Sequence, residues 1–124
     1  MIEQFIRIAK KDVSYNGTLK AKFHREGKKV LGEIAKKLGL APGTFDIRSN
    51  MGGIAVSGEV TLHGENIYIQ FIQGFSNRFM FRSCKGRKDY CGGPNNFVEY
   101  ESLSNLDAVC ERFRRVMQPM FQVI

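Results

Sequence analysis

The sequence predicts an α+β fold: an antiparallel β-meander of about four strands, with two N-terminal helices and one C-terminal helix packed on one face. Three observations predict it. Apolar residues recur at helical spacing near both ends of the chain, they alternate with polar residues through its middle, and short Gly/Asn signals separate the alternating runs. With 124 residues, 43% of them hydrophobic, one domain spanning 1–124 is expected to bury most of its apolar surface without disulfide or metal staples.

Ile2, Phe5, Ile6, Ala9 and Val13 share one face of a first helix. Asn16-Gly17 then signals a turn. A second helix is expected from about Thr18 to Leu38. Phe23, Val30, Leu31, Ile34, Ala35 and Leu38 form its apolar stripe, while Lys22, Arg25, Lys29 and Lys36 share much of the opposite face. Gly27 and Gly32 inside it each cost roughly 1 kcal/mol against alanine, so they either weaken the helix or mark close packing. Gly39 sits where a C′ glycine belongs, just after Lys36 and Lys37, and Pro42-Gly43 suits a type II turn.

The β region opens at Phe45 to Arg48 and is broken by Gly52-Gly53. From Ile54 to Leu62 the pattern alternates, putting Ile54, Val56, Val60 and Leu62 on a buried face and Ala55, Ser57, Glu59 and Thr61 on a wet one. His63-Gly64-Glu65-Asn66 reads as a hairpin loop, with His63 an exposed polar residue at its tip. Ile67, Ile69 and Phe71 continue the buried face, with Tyr68 and Gln70 outside. After the turn Gly74–Asn77, Arg78 to Cys84 is a further strand whose phenylalanines face one way and whose Met80, Arg82 and Cys84 face the other. Leu103, Leu106, Val109, Cys110, Phe113, Val116 and Met117 make the stripe of a last helix, capped by Ser102 or Ser104 and stopped at Pro119.

The formal net charge is +7, in two blocks. Residues 1–39 carry ten Lys/Arg against four acids, and residues 78–90 carry five against Asp89 alone. Between them, 40–77 has one base and three acids. Such asymmetry points to an anionic partner: nucleic acid, an acidic protein face or a phosphorylated ligand. The plainer reading is a soluble protein whose helices show lysine to water. No run approaches the ~20 apolar residues of a membrane span. The start M-I-E-Q-F-I-R-I-A-K-K lacks a signal peptide's long apolar core and small-residue cleavage site. Three cysteines at unpaired spacing argue against a secreted disulfide framework and for a reducing cytoplasm.

One loop stands apart. Cys84 to Phe97 reads C-K-G-R-K-D-Y-C-G-G-P-N-N-F, with three bases, an acid, an aromatic, two cysteines, paired amides and a shaped backbone. Long connections of this kind are usually functional or disordered. Arg82, Lys85, Arg87 and Lys88 suit phosphates or acidic side chains, Tyr90 suits stacking on a base, and Asn95 and Asn96 suit base edges or backbone. Arg48 and Asn50, leaving the first strand, join this surface if the meander brings the strand ends together. The opposing reading is a solvated loop in which Asp89 satisfies Arg87 or nearby amides and Asn95-Asn96 caps a turn.

Other chemistries fit less well. Glu33 to Thr44 resembles the middle of a helix-turn-helix, but a recognition helix would have to run on into Met51-Gly52-Gly53, where two glycines stop it. Cys84, Cys91 and Cys110 with His24 and His63 lack the tight thiolate pair of a structural zinc site, so neither a metal nor a cofactor is expected. An enzyme would recruit Cys84 or Cys91 as nucleophile, His63 as base and Asp89 as orienter, with Tyr90 beside them, yet their spacing does not ask for it. No phosphate-cradling or paired-carboxylate motif is present.

F-D-I-R-S-N-M-G-G-I-A-V-S-G-E-V-T-L-H (Phe45 to His63) and R-S-C-K-G-R-K-D-Y-C-G-G-P-N-N-F (Arg82 to Phe97) resemble a family of small uncharacterised proteins of phages and mobile elements. The likeness runs more loosely over Phe23 to Leu40. It implies a setting, a phage-type accessory protein in the bacterial host cytoplasm, and no catalytic role. The reading that follows is a small basic binding protein that uses the Arg82–Asn96 surface, Asp89 included, and a secondary basic face of Lys22, Arg25, Lys29 and Lys36 on the second helix to engage nucleic acid or a host nucleic-acid-handling or defence protein, for example as an anti-CRISPR-like inhibitor. The alternatives are a small enzyme acting on a nucleotide or nucleic acid, and a structural or oligomerising protein whose charge serves solubility alone.

Overall fold

Capping chemistry sets the helix ends. The side chain of Asn16 accepts the Leu19 amide at 3.0 Å and starts α2 (Gly17–Lys37), while α1 (Ile2–Ala9) ends well before Val13. At the other end of α2, Gly39 takes φ +71°. Its amide donates to the Lys36 carbonyl and that of Leu40 to Ala35, both at 3.0 Å, the paired bonds of a Schellman stop. Ala41 to Thr44 then closes as a type II turn, with Gly43 at φ +85° and Thr44 N–H on the Ala41 carbonyl at 3.1 Å. The chain goes straight into a strand there, so no second helix of a helix-turn-helix forms.

The computed structural model describes residues 2–90 and 92–117. Five strands follow the turn: β1 (Asp46–Asn50), β2 (Glu59–His63), β3 (Tyr68–Phe71), β4 (Arg78–Arg82) and β5 (Asn96–Glu99). They form one antiparallel sheet in the order β1-β2-β3-β4-β5. A short 3₁₀ turn (Tyr100–Ser104) leads into α3 (Leu106–Met117). The α+β meander is the expected one, with a fifth strand where the odd loop was expected to continue through Phe97. The cap of α3 also differs: Asn105, not Ser102 or Ser104, accepts the Ala108 amide at 3.3 Å. Pro119 lies outside the described residues.

One face of the sheet and the helices share the core. Phe5, Phe23, Phe71, Phe79, Phe81 and Phe113 are buried together around Tyr100. Ring centroids stand 5.0 Å apart for Phe5–Phe71 and Phe71–Phe79 and 4.9 Å for Phe81–Phe113. Burying one such side chain contributes about 1.5–3 kcal/mol. The Tyr100 hydroxyl donates to the Ile72 carbonyl at 2.8 Å, so this phenol enters the core without an orphaned polar atom. Lys37 pairs with Asp107 at 2.9 Å, and Arg114 donates to the Lys37 carbonyl at 2.7 Å, which ties α3 to the electronegative end of α2.

The expected strand from Ile54 to Leu62 is corrected. Pairing starts only at Glu59, and residues 51–58 form a loop in which Ile54 is 72% and Val56 51% exposed. Gly58 explains the break: it takes φ +70°, and a Cβ there would stand 2.3 Å from the Asn50 carbonyl oxygen. The chain doubles back where a side chain cannot fit. The loop is pinned by Tyr15 N–H on the Ile54 carbonyl (2.8 Å), Lys20 Nζ on the Gly53 carbonyl (2.7 Å) and His24 Nε2–H on the Ser57 carbonyl (2.8 Å).

Candidate nucleic-acid interface

Antiparallel register decides which residues share the outer face of the sheet, the face opposite the helices. Residues directly across from one another point the same way. Asp46, His63, Tyr68 and Arg82 make one cross-strand row, and Arg48, Thr61, Gln70, Met80 and Phe97 make the next. Asn50 pairs with Glu59, and Arg78 with Glu99, toward the far end. Loop residues 83–90 and 92–95 fold back over the first row, and Cys91 lies outside the described residues. The loop's close approach needs glycine: a Cβ on Gly92 would stand 2.0 Å from the Ser83 carbonyl oxygen, and the Gly93 amide donates to that oxygen at 3.0 Å.

Within this region arginines lie on rings. The Arg82 guanidinium sits 4.3 Å from the Tyr68 ring centre, and that of Arg78 5.1 Å from Phe97. Arg48 Nη1 donates to the Tyr90 hydroxyl at 3.2 Å, and Arg82 Nη2 to the Tyr90 carbonyl at 2.9 Å. Tyr68, Met80, Cys84 and Phe97 form a small apolar cluster of their own on this side.

Arg87 is held in place by structure. It grips Asp46 with two bonds of 3.2 and 3.0 Å and donates to the Gly43 carbonyl at 2.7 Å. Asp46 also takes Arg48 at 3.1 Å. The Arg87 bond, more than any other interaction, holds the Asp46 carboxyl below the usual carboxylate range. Asp89 accepts the Lys85 amide at 2.9 Å and shapes the loop, and it is Asp46 that meets Arg87. Asn96 donates to the Phe81 and Pro94 carbonyls at 3.4 and 3.1 Å as part of the strand edge. Lys85, Lys88 and Asn95 are exposed on the loop.

The structure brings Arg48, Arg82, Arg87, Asp89 and Tyr90 together. Asn50 is at the opposite end of β1, where its side chain accepts the Gly52 amide at 3.1 Å. That end borders a hollow of about 740 Å³ between Lys10 and Lys11 of the α1 end, Val56 of the loop and Arg78. The lysines of α2 are separated from the loop by the sheet. Arg25 and Lys29 both approach Glu26 (3.6 and 3.2 Å), Lys36 approaches Glu33 (3.9 Å), and Lys22 is half-buried. The α2 bases and the loop bases therefore lie on two surfaces, while Lys10 and Lys11 share the hollow with Arg78.

His63 needs correction. It ends β2 on the outer face and is only 1% exposed, walled by Tyr68 and Tyr90, whose rings meet it edge-on at 5.0 and 5.1 Å. Burial, reinforced by the charges of Arg48 and Arg82, holds its pKa below the usual histidine value, while backbone groups of Gly86 and Asp89 act the other way. Cys84, 3.3 Å from the Gly64 carbonyl, has its thiol pushed up by burial. A thiol held protonated is a poor nucleophile.

Asp46 was not among the residues singled out from the sequence, and His63 entered only as the base of the enzyme reading. The signal that could have found them is the pairing of β1, β2 and β3, which aligns Asp46, His63 and Tyr68. No helix of the described residues is long and apolar enough to cross a membrane. No family model matches the chain, and no curated protein or solved structure matches it.

Proposed function

We propose that this chain binds nucleic acid, taking unpaired strands on the outer face of its sheet. One observation carries the reading: arginines stand over aromatic rings, Arg82 over Tyr68 and Arg78 over Phe97, on the sheet face turned away from the helices, with Arg48 beside them on the Tyr90 hydroxyl. Guanidinium groups take phosphate oxygens, and rings take bases of any identity by stacking. A duplex hides its base faces in its own stack, so this set of groups serves unpaired nucleotides best. Exposed Lys85 and Lys88 add attraction at the rim. In the phage setting that the sequence resemblance implies, such a protein would occupy nucleic acid used by a host defence or replication machine. A host protein with an acidic face is the competing partner.

The test is fluorescence anisotropy with labelled single-stranded RNA and DNA. Changing Lys85 and Lys88 together to alanine is expected to weaken binding several-fold, since each lost phosphate contact removes part of the salt-dependent attraction. Lys36→Ala on α2 is expected to leave binding unchanged. An equal loss from Lys36→Ala would sink the assignment to this face. Absence of strand binding, with a host protein retained from lysate through the same lysines, would move the partner to protein.

A further inference from the structure

Among the described residues, three buried side-chain nitrogens close no hydrogen bond of ordinary geometry: Nδ1 and Nε2 of His63 and Nε of Arg82. All three lie in the single row Asp46–His63–Tyr68–Arg82, and the ring that roofs His63 is Tyr90. Buried polar atoms are nearly always partnered, and leaving one unmet costs about 1–3 kcal/mol. The His63 nitrogens stand beside the Gly86 and Asp89 backbone without closing an ordinary bond to either, beneath a residue, Tyr90, that is itself 58% exposed, and Arg82 Nε lies in the same row. Tyr90 stands where an occupant would. Its hydroxyl takes the Arg48 donor, and its flat ring lies against His63.

From this we infer that Tyr90 is a displaceable plug over a site for one unpaired nucleotide of a strand. The inference rests on the nucleic-acid reading above and adds to it which groups hold the nucleotide. When the Tyr90 side chain swings out, the base takes the place of its ring beside His63 and Tyr68. A phosphate or sugar oxygen takes Arg48 Nη1 and Arg82 Nε. The neutral His63 ring can donate from one nitrogen and accept at the other, which suits the mixed donors and acceptors of a base edge. The exposed side chain of Tyr90 gives up little packing when it leaves.

The plug reverses the sign expected of a simple stacking residue. A tyrosine that only stacks loses affinity when cut to alanine, whereas a plug that competes with the ligand yields affinity. With labelled oligouridine at low salt, Tyr90→Ala is expected to bind about ten-fold tighter than the natural chain, the order of gain when a closed form held by one hydrogen bond and one ring contact no longer competes. Tyr90→Phe keeps the ring and loses the hydroxyl, and is expected to fall between. Uridine monophosphate added to the Tyr90→Ala protein is expected to move the ring-nitrogen resonances of His63 and to leave those of His24 in place. If the natural chain binds the strand and Tyr90→Ala binds equally or more weakly, the plug is overturned while the outer-face reading stands. If neither binds any strand, both fall. If inorganic phosphate moves His63 as far as the nucleotide does, the site takes a bare anion and the nucleotide assignment is overturned.

Discussion

Asp46 and Arg87 show how a single side chain can change role between sequence and fold. In the sequence Arg87 is one more base of a basic loop; in the fold it is bonded to Asp46 and to the Gly43 carbonyl, across the sheet edge from its neighbours. Arg87→Ala is therefore expected to loosen the loop and not to remove a direct phosphate contact. Hydrogen exchange at the Lys85 and Asp89 amides, both bonded within the loop, should quicken while the core amides of β3 keep their protection. Unchanged exchange at those two amides would contradict the pinning role. The loop bases and Tyr90 were legible as a group because they are neighbours in the chain. Asp46 was not, and His63 was set beside them only as the base of an enzyme, because what joins the two to that group is register, and a shift of one residue would send both to the other face. His63 illustrates the point: composition placed it at an exposed hairpin tip, and one further residue of pairing buries it.

At the scale of elements, α2 provides a controlled comparison. Gly27 and Gly32 read identically in the sequence, as glycines within a helix. A Cβ on Gly27 would stand 3.3 Å from the Phe5 ring and 3.4 Å from Val60, whereas one on Gly32 would meet nothing within 4 Å. Gly32→Ala is expected to stabilise the protein by about 1 kcal/mol through helix propensity. Gly27→Ala should gain less or lose stability, because Phe5 and Val60 must shift. Urea unfolding of the two variants checks this, and an equal gain from both would contradict the packing of α1 and β2 on α2. The helices were readable because their stripes run for several turns. The second strand was over-read, since Ile54 and Val56 keep the alternation of β2 although the turn at Gly58 leaves them outside the sheet. β5 was under-read for the opposite reason, being too short at Asn96–Glu99 to show a period.

At the scale of the whole molecule, two buried histidines tie stability to pH. His24 lies 3% exposed, donates to the Ser57 carbonyl and accepts from the Ser49 hydroxyl at 2.6 Å, and burial followed by Lys20 and Lys28 keeps its pKa low. His63 is faced by Arg48, Arg82, Tyr68, Tyr90 and the Asp46 carboxylate, and its pKa is low for the same leading reason. Because the unfolded chain binds protons on these residues before the folded one does, stability is full above the unfolded histidine pKa of about 6.5 and declines as pH falls through it. The urea midpoint is expected to drop between about pH 7.5 and pH 5.5. A flat or rising midpoint over that interval would contradict the burial of both rings as neutral groups. Net charge and its two blocks along the chain were legible in the sequence, but their placement was not: only the fold puts the sheet between the lysines of α2 and those of the loop.

The measurement that bears most directly on the proposed interface is a salt-resolved anisotropy titration of the natural chain with single-stranded and duplex oligonucleotides of the same sequence. The single strand should bind more tightly at every salt concentration. With three to five phosphate contacts from Arg48, Arg82, Lys85, Lys88 and Arg78, the log–log slope against salt should be roughly −2 to −3.5. Duplex binding as tight as single-strand binding, or affinity for neither, would contradict a stacking face on the sheet.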